Sequence, residues 1–122
     1  MRFFICEHCG NLITFLHDAK VPVVCCGQKM TELIPGTVDA ATEKHIPVVE
    51  KDGNNVIVKV GSVPHPMIDS HFIQWVALET NKGCQIQYLE PDTPPVANFS
   101  LSNGEEIVNV YEYCNLHGLW KA

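Results

Sequence analysis

A mainly β chain is predicted, in which a small metal-clipped module precedes a β-sandwich. Three observations carry that expectation. Cys6-Glu7-His8-Cys9 and Cys25-Cys26-Gly27 place four cysteines in the first segment with the look of a metal clip. From residue 42 on, short apolar runs follow one another as strands do. Turn signals separate several of them, at Asn81-Lys82-Gly83, Pro91-Asp92, Pro94-Pro95 and Asn103-Gly104. Such spacing favours an all-β sandwich over alternating β and α elements. The chain holds no internal repeat and no low-complexity tract.

Residues 1–35 form the predicted clip module. Its apolar residues are too few for an independent core, so its fold should depend on the metal. Pro35-Gly36 breaks the chain, and residues 36–41, ending Thr37-Val38-Asp39-Ala40-Ala41, read as a linker. The second domain then spans 42–122. Val48-Val49-Glu50-Lys51 followed by Asp52-Gly53 reads as a hairpin entry. Val56, Val58 and Val60 alternate with Ile57 and Lys59, whereas His71 to Leu78 is apolar on both faces, as a strand inside a sandwich would be. Gln85 to Leu89, Asn98 to Leu101 and Ile107 to Tyr113 supply further short strands.

Charge and composition narrow the function. A net charge of −6 with only eight Lys and Arg argues against nucleic acid, whose phosphates are bound by cations. The same field repels a small anion, so an anionic substrate would require a local cation, and any Lys beside a metal site gains interest. No apolar run approaches the roughly 18 residues of a membrane span. Met1-Arg2-Phe3-Phe4-Ile5-Cys6 reaches a cysteine too soon for a signal peptide, which makes the cytoplasm the default location. Thiols are kept reduced there, so six cysteines read as metal ligands before disulfides.

In the clip, Cys6 and Cys9 have the usual ligand spacing, but Cys25 and Cys26 are adjacent. Neighbouring side chains of an extended strand point to opposite faces, so the backbone must bend there for both sulfurs to reach one ion, and Gly27 makes the bend feasible. A vicinal disulfide is the competing arrangement, though it would strand Cys6 and Cys9. Spacing alone leaves zinc and iron both open as the occupant. His8 and His17 read as surface histidines, and Cys84 as a free, partly buried thiol.

Tyr113-Cys114-Asn115-Leu116-His117-Gly118 is the most informative stretch, because His45, His65 and His71 lie upstream to join it. One thiolate and four imidazoles exceed the four ligands that close a structural zinc site, and they point to redox iron, which accepts five and leaves a sixth position open. His65 stands between Pro64 and Pro66 on a stiffened loop, His71 opens the apolar strand, and His45 before Ile46-Pro47 is expected in an extended presentation. Backbone N–H groups of Asn115, Leu116 and His117 are expected to point back at the Cys114 sulfur if the loop between the two ligands is tight.

These stretches carry a resemblance. Thr42-Glu43-Lys44-His45-Ile46-Pro47, Gly61-Ser62-Val63-Pro64-His65-Pro66-Met67, His71-Phe72-Ile73-Gln74-Trp75 and Cys114-Asn115-Leu116-His117-Gly118-Leu119-Trp120 resemble the iron-site motifs of the superoxide reductases. The clip at Cys6, Cys9, Cys25 and Cys26 is similar to the desulforedoxin-like domain of their two-iron members, the desulfoferrodoxins. The resemblance spans essentially the whole chain in the family's order, with no ligand missing.

It implies two irons per chain. His45, His65, His71 and His117 would be equatorial ligands and Cys114 the axial thiolate of the catalytic iron, while the four clip cysteines would hold an auxiliary tetrathiolate iron. The catalytic domain would be an immunoglobulin-like β-sandwich. The implied activity is one-electron reduction of superoxide to hydrogen peroxide, with a rubredoxin-like electron donor and a homodimeric assembly. Lys44 beside a ligand would steer the anion and support protonation, and Glu43 resembles the glutamate that occupies the open position of the oxidised iron. Two other functions compete: a two-iron electron carrier without catalysis, for which a closed ligand sphere would be better suited, and a zinc-clipped interaction module, against which the four histidines and Cys114 count.

Overall fold

The computed structural model describes residues 1–122. The chain divides into two compact units, Met1–Ile34 and Pro35–Ala122. In the first, β1 (Phe3–Ile5) lies between β2 (Leu12–Thr14) and β5 (Thr31–Leu33) in an antiparallel sheet, and β3 (Val24–Cys25) pairs with β4 (Gln28–Lys29) as a separate hairpin. Phe3, Cys6 and Met30 are its buried side chains of apolar type. So small a core cannot hold three-residue strands together unaided. The Arg2 guanidinium adds support, bonding Asp18 at 2.7 Å and Glu32 at 3.2 Å.

The second unit contains one helical turn, α1 (Thr42–His45), and seven strands: β6 (Pro47–Asp52), β7 (Asn55–Val60), β8 (Ile73–Thr80), β9 (Gly83–Tyr88), β10 (Val96–Ser100), β11 (Ile107–Cys114) and β12 (Gly118–Lys121). They form two antiparallel sheets, ordered β10-β7-β6 and β12-β11-β8-β9. Three strands on four is the strand count of a constant-type immunoglobulin sandwich. Between the sheets pack Val56, Val58 and Val60 of β7, Val76 and Leu78 of β8, Phe99 of β10 and Val110 of β11. Period-two alternation puts the three valines of β7 inward while Lys59 stays exposed. At the open side of the sandwich, Gln85 Nε2 donates to Ser100 O and Gln87 Oε1 accepts from Asn98 N, each at 2.9 Å. Glutamine side chains thus satisfy β10 backbone groups that a further strand would otherwise pair.

The strand expectations need three local corrections. Residues 42–45 are helical, so His45 is not extended; a proline restricts only the residue immediately before it, and that residue, Ile46, is the extended one (φ −69°, ψ 119°). Strand β8 begins at Ile73, and His71 sits ahead of it in an isolated bridge with Ile68. Cys84 is free as expected but exposed, because β9 is an edge strand of its sheet.

Candidate metal centres

The clip cysteines converge, their sulfurs all lying within 4.8 Å of one another. The adjacent pair is accommodated by the β3–β4 hairpin. Cys25 pairs with Gln28 across a two-residue turn, and the turn residues Cys26 and Gly27 both have positive φ, 53° and 72°. That is the dihedral signature of the tight turn that matches strand twist, and it swings Cys26 off the strand to face the same point as Cys25. On the other side, Gly10 (φ 82°) donates its N–H to Cys6 O at 2.9 Å, closing the loop that brings Cys9 back toward Cys6.

Amide N–H groups face the sulfurs as well. Cys9 N reaches Cys6 Sγ and Asn11 N reaches Cys9 Sγ, both at 3.5 Å. The Cys9 amide is the main reason that the Cys6 thiol is lowered to about 6. Hydrogen bonding with Cys9 and Cys6, together with burial, pushes Cys26 up to about 12. Four thiolates this close cannot all ionise without a cation among them, and four soft sulfurs suit iron or zinc. His8 and His17 are exposed and stand outside this group.

The second centre gathers His45, His65, His71, Cys114 and His117, whose ligand atoms again lie within 4.8 Å of one another. Their imidazoles occupy the corners of a square. Ring centroids are 4.7 Å apart for His45–His65, 4.6 Å for His65–His71, 5.0 Å for His71–His117 and 4.9 Å for His117–His45. Neighbouring planes are nearly perpendicular, at 74–84°. His45 Nε2 lies 3.2 Å from His65 Nε2 and 3.1 Å from His117 Nδ1, so the nitrogens face one interior point. Cys114 Sγ is 3.9 Å from His117 Nδ1, and Cys114 is fully buried at the end of β11.

Each ring has its own support. His45 Nδ1 bonds Ala41 O at 2.7 Å and His65 Nδ1 bonds Pro66 O at 2.6 Å. A ring N–H given to a carbonyl leaves Nε2 as the lone-pair donor, the usual way an imidazole ligand is oriented. The buried His71 Nε2 has no protein partner, as a nitrogen reserved for a metal would have none. Trp120 stacks on His45, with centroids 4.9 Å apart, and its Nε1 donates to His117 O at 3.1 Å. Desolvation lowers His45, His65 and His71, the second to about 4, which keeps them neutral and ready to ligate. Burial raises the Cys114 thiol, opposed by the amides of Leu116 and His117; the His117 amide lies 3.4 Å from its sulfur. The Asn115 amide does not join them, contrary to expectation: it donates to Phe72 O at 3.2 Å, continuing the β8–β11 pairing.

Lys44 and Glu43 lie on α1 directly before His45. Lys44 is half-buried and close enough to contribute to the lowering of His71, while Glu43 is exposed. Loop 61–63 holds this turn from below, since Val63 N at 2.9 Å and Ser62 Oγ at 3.2 Å both donate to Glu43 O. Sequence reasoning missed the supporting groups: the carbonyls of Ala41 and Pro66, the Asn115 amide group and the Trp120 indole. Carbonyl placement leaves no trace in residue type. Trp120, two residues after Gly118, was the one visible signal.

Residues 37–122 match the Desulfoferrodoxin family and residues 1–33 match the Desulfoferrodoxin N-terminal domain. The chain belongs to the desulfoferrodoxin family. A desulfoferrodoxin from Syntrophotalea carbinolica is 49% identical over 122 residues, covering 100% of this chain and 95% of the relative. The solved superoxide reductase from Treponema pallidum is 42% identical, covers 98% of each chain and superposes with a TM-score of 0.83. A one-iron superoxide reductase from Giardia intestinalis is 33% identical, covering 66% of this chain and 95% of its own, with a TM-score of 0.56. The two donor sets are those of a two-iron desulfoferrodoxin: Cys6, Cys9, Cys25 and Cys26 for a tetrathiolate iron, and His45, His65, His71, His117 and Cys114 for a five-donor iron.

Proposed function

We propose that this chain is a superoxide reductase. The observation that carries the reading is the square of four imidazoles with a single, fully buried cysteine beside it. Five donors would leave iron held here with a sixth position for a ligand, which suits a substrate better than it suits a pure electron carrier. Iron held by these residues would supply one electron, with which superoxide and two protons from solvent give hydrogen peroxide, releasing no oxygen.

The side chains divide the remaining work. Neutral imidazoles would leave the iron a positive centre that attracts an anion on an otherwise acidic chain, and the half-buried Lys44 adds a cation near it. Cys114 would hold the iron through its thiolate and supply electron density to it, and the Leu116 and His117 amides would temper that donation. Glu43, exposed on the same helical turn, would be the carboxylate available to the iron's sixth position. A rubredoxin-type protein supplies electrons, a homodimer is the assembled form, and the cytoplasm is the location, since free cysteines reserved as ligands require a reducing compartment.

The test uses reduced full-length protein mixed rapidly with superoxide, with peroxide and oxygen measured together. The expected yield is one peroxide per superoxide with no oxygen. Cys9→Ser, which removes the tetrathiolate, should preserve this reaction, whereas Cys114→Ser should retain bound iron but lose the sulfur-to-iron charge-transfer absorption and most of the reactivity. A Cys114→Ser protein with wild-type turnover would refute the role given to Cys114, whereas a reduced wild-type protein that yields no peroxide would leave the two-iron carrier as the better reading.

A further inference from the structure

Of the four imidazoles, His71 is supported differently. His45 and His65 give a ring N–H to a backbone carbonyl, and His117 is fixed by its own tight turn, between its amide on Cys114 Sγ and its carbonyl, which accepts from Trp120 Nε1. No such ring–carbonyl bond is seen at His71, whose buried Nε2 has no hydrogen-bond partner. Its orientation must come from its backbone, yet it lies outside β8, two residues before the first strand residue.

The side chain of Asn115 fills that gap. The paired register of β8 and β11 ends at Ile73 and Cys114. Beyond it, Asn115 N donates to Phe72 O at 3.2 Å, Asn115 Oδ1 accepts from Phe72 N at 2.9 Å, and Asn115 Nδ2 donates to Ser70 O at 3.1 Å. The primary amide thus mimics a peptide group, with an acceptor and a donor that straddle His71 on one side. On the other side, His71 N donates to Ile68 O and Ile68 N donates to His71 O, both at 3.0 Å. The His71 backbone is held between these two sets of bonds.

We propose that Asn115 is the positioning residue for His71, locking that ligand to the Cys114 loop so that two ligands from distant parts of the chain keep one separation. Asp at this position would keep the acceptor for Phe72 N but turn an oxygen toward Ser70 O. Ala would remove both side-chain bonds. The assignment rests on the five-donor centre and not on its reactivity, so its test reads metal retention and stands apart from superoxide reduction.

The full-length two-iron protein is oxidised and challenged with excess chelator, and loss of the thiolate-to-iron absorption is followed with the tetrathiolate band as internal control. Asn115→Ala should release the five-donor iron about ten-fold faster or more, the usual scale for losing a group that orients a ligand, with Asn115→Asp in between and the tetrathiolate unchanged. In a His71→Ala background the effect of Asn115→Ala should shrink to within about two-fold, because the group through which it acts is gone. If Asn115→Ala fails to fold with iron, the same cycle is read with Asn115→Asp. Equal acceleration in both backgrounds would mean that Asn115 acts through Cys114 or the fold at large, and release as slow as wild type from both variants would mean that it positions nothing; either result overturns the proposal.

Discussion

The Trp120 indole lies against the His45 imidazole, their planes inclined by only 26°. The same indole donates to His117 O, so one buried side chain supports ligands from α1 and from the C-terminal loop. Trp120→Phe should keep the stack and lose the hydrogen bond, costing about 1 kcal/mol. Trp120→Ala loses both and opens a cavity, costing about 3–5 kcal/mol. Thermal unfolding of the iron-loaded protein measures both, and equal losses would mean that the stack contributes nothing.

Gly61 is buried beneath the turn that carries Glu43 and Lys44. A Cβ there would overlap Glu43 O and stand 2.8 Å from Lys44 C, backbone atoms that cannot rotate away. Gly61→Ala should therefore displace α1, destabilising the second unit by about 1–3 kcal/mol and weakening iron binding through His45. Chemical denaturation and an iron count report the two effects, and a variant with wild-type stability and iron content would show that the turn yields freely.

Lys44→Ala should slow the bimolecular reaction with superoxide by about ten-fold at low salt and flatten its dependence on ionic strength, because attraction of an anion by a nearby cation is screened by salt. Glu43→Ala should leave that step largely unchanged. Rapid-mixing rates at several salt concentrations test the pair; a Lys44→Ala protein as fast as wild type at low salt removes the steering role.

Glu112 is completely buried in β11, and neither carboxylate oxygen has a hydrogen-bond partner. Burial pushes its carboxyl up to about 9 from an ordinary 4.5. Below pH 4.5 both the folded and unfolded forms are protonated and the group adds no pH dependence. Between about 4.5 and 9 only the unfolded form ionises, so stability falls as pH rises, by up to about 1.4 kcal/mol per pH unit, and levels off above the folded value. Glu112→Gln should remove this slope and stabilise the protein at pH 7 by about 3 kcal/mol. Denaturation midpoints from pH 4 to 9 decide it: parallel curves for the two proteins would mean that Glu112 does not take up a proton on folding.

Much of this protein is determined by its residue pattern alone. Alternating Val56, Val58 and Val60, the doubly apolar run through Leu78 and the turns between strands specify a two-sheet sandwich, because a strand of period two must bury one face or both. The nine ligands are legible too, since no other side chains combine soft sulfur and imidazole nitrogen at these spacings. Tertiary structure decided how those ligands are held. Residue type does not show that Cys26 leaves its strand through a positive φ, that His45 ends a helical turn, or that His71 precedes its strand. The square depends on carbonyls of Ala41 and Pro66, on the Asn115 amide and on Trp120, groups whose partners are set by packing between segments far apart in the chain. Ligand identity is a property of side chains and can be read from the chain one residue at a time; ligand orientation is a property of backbone hydrogen bonds, which exist only once the chain has folded.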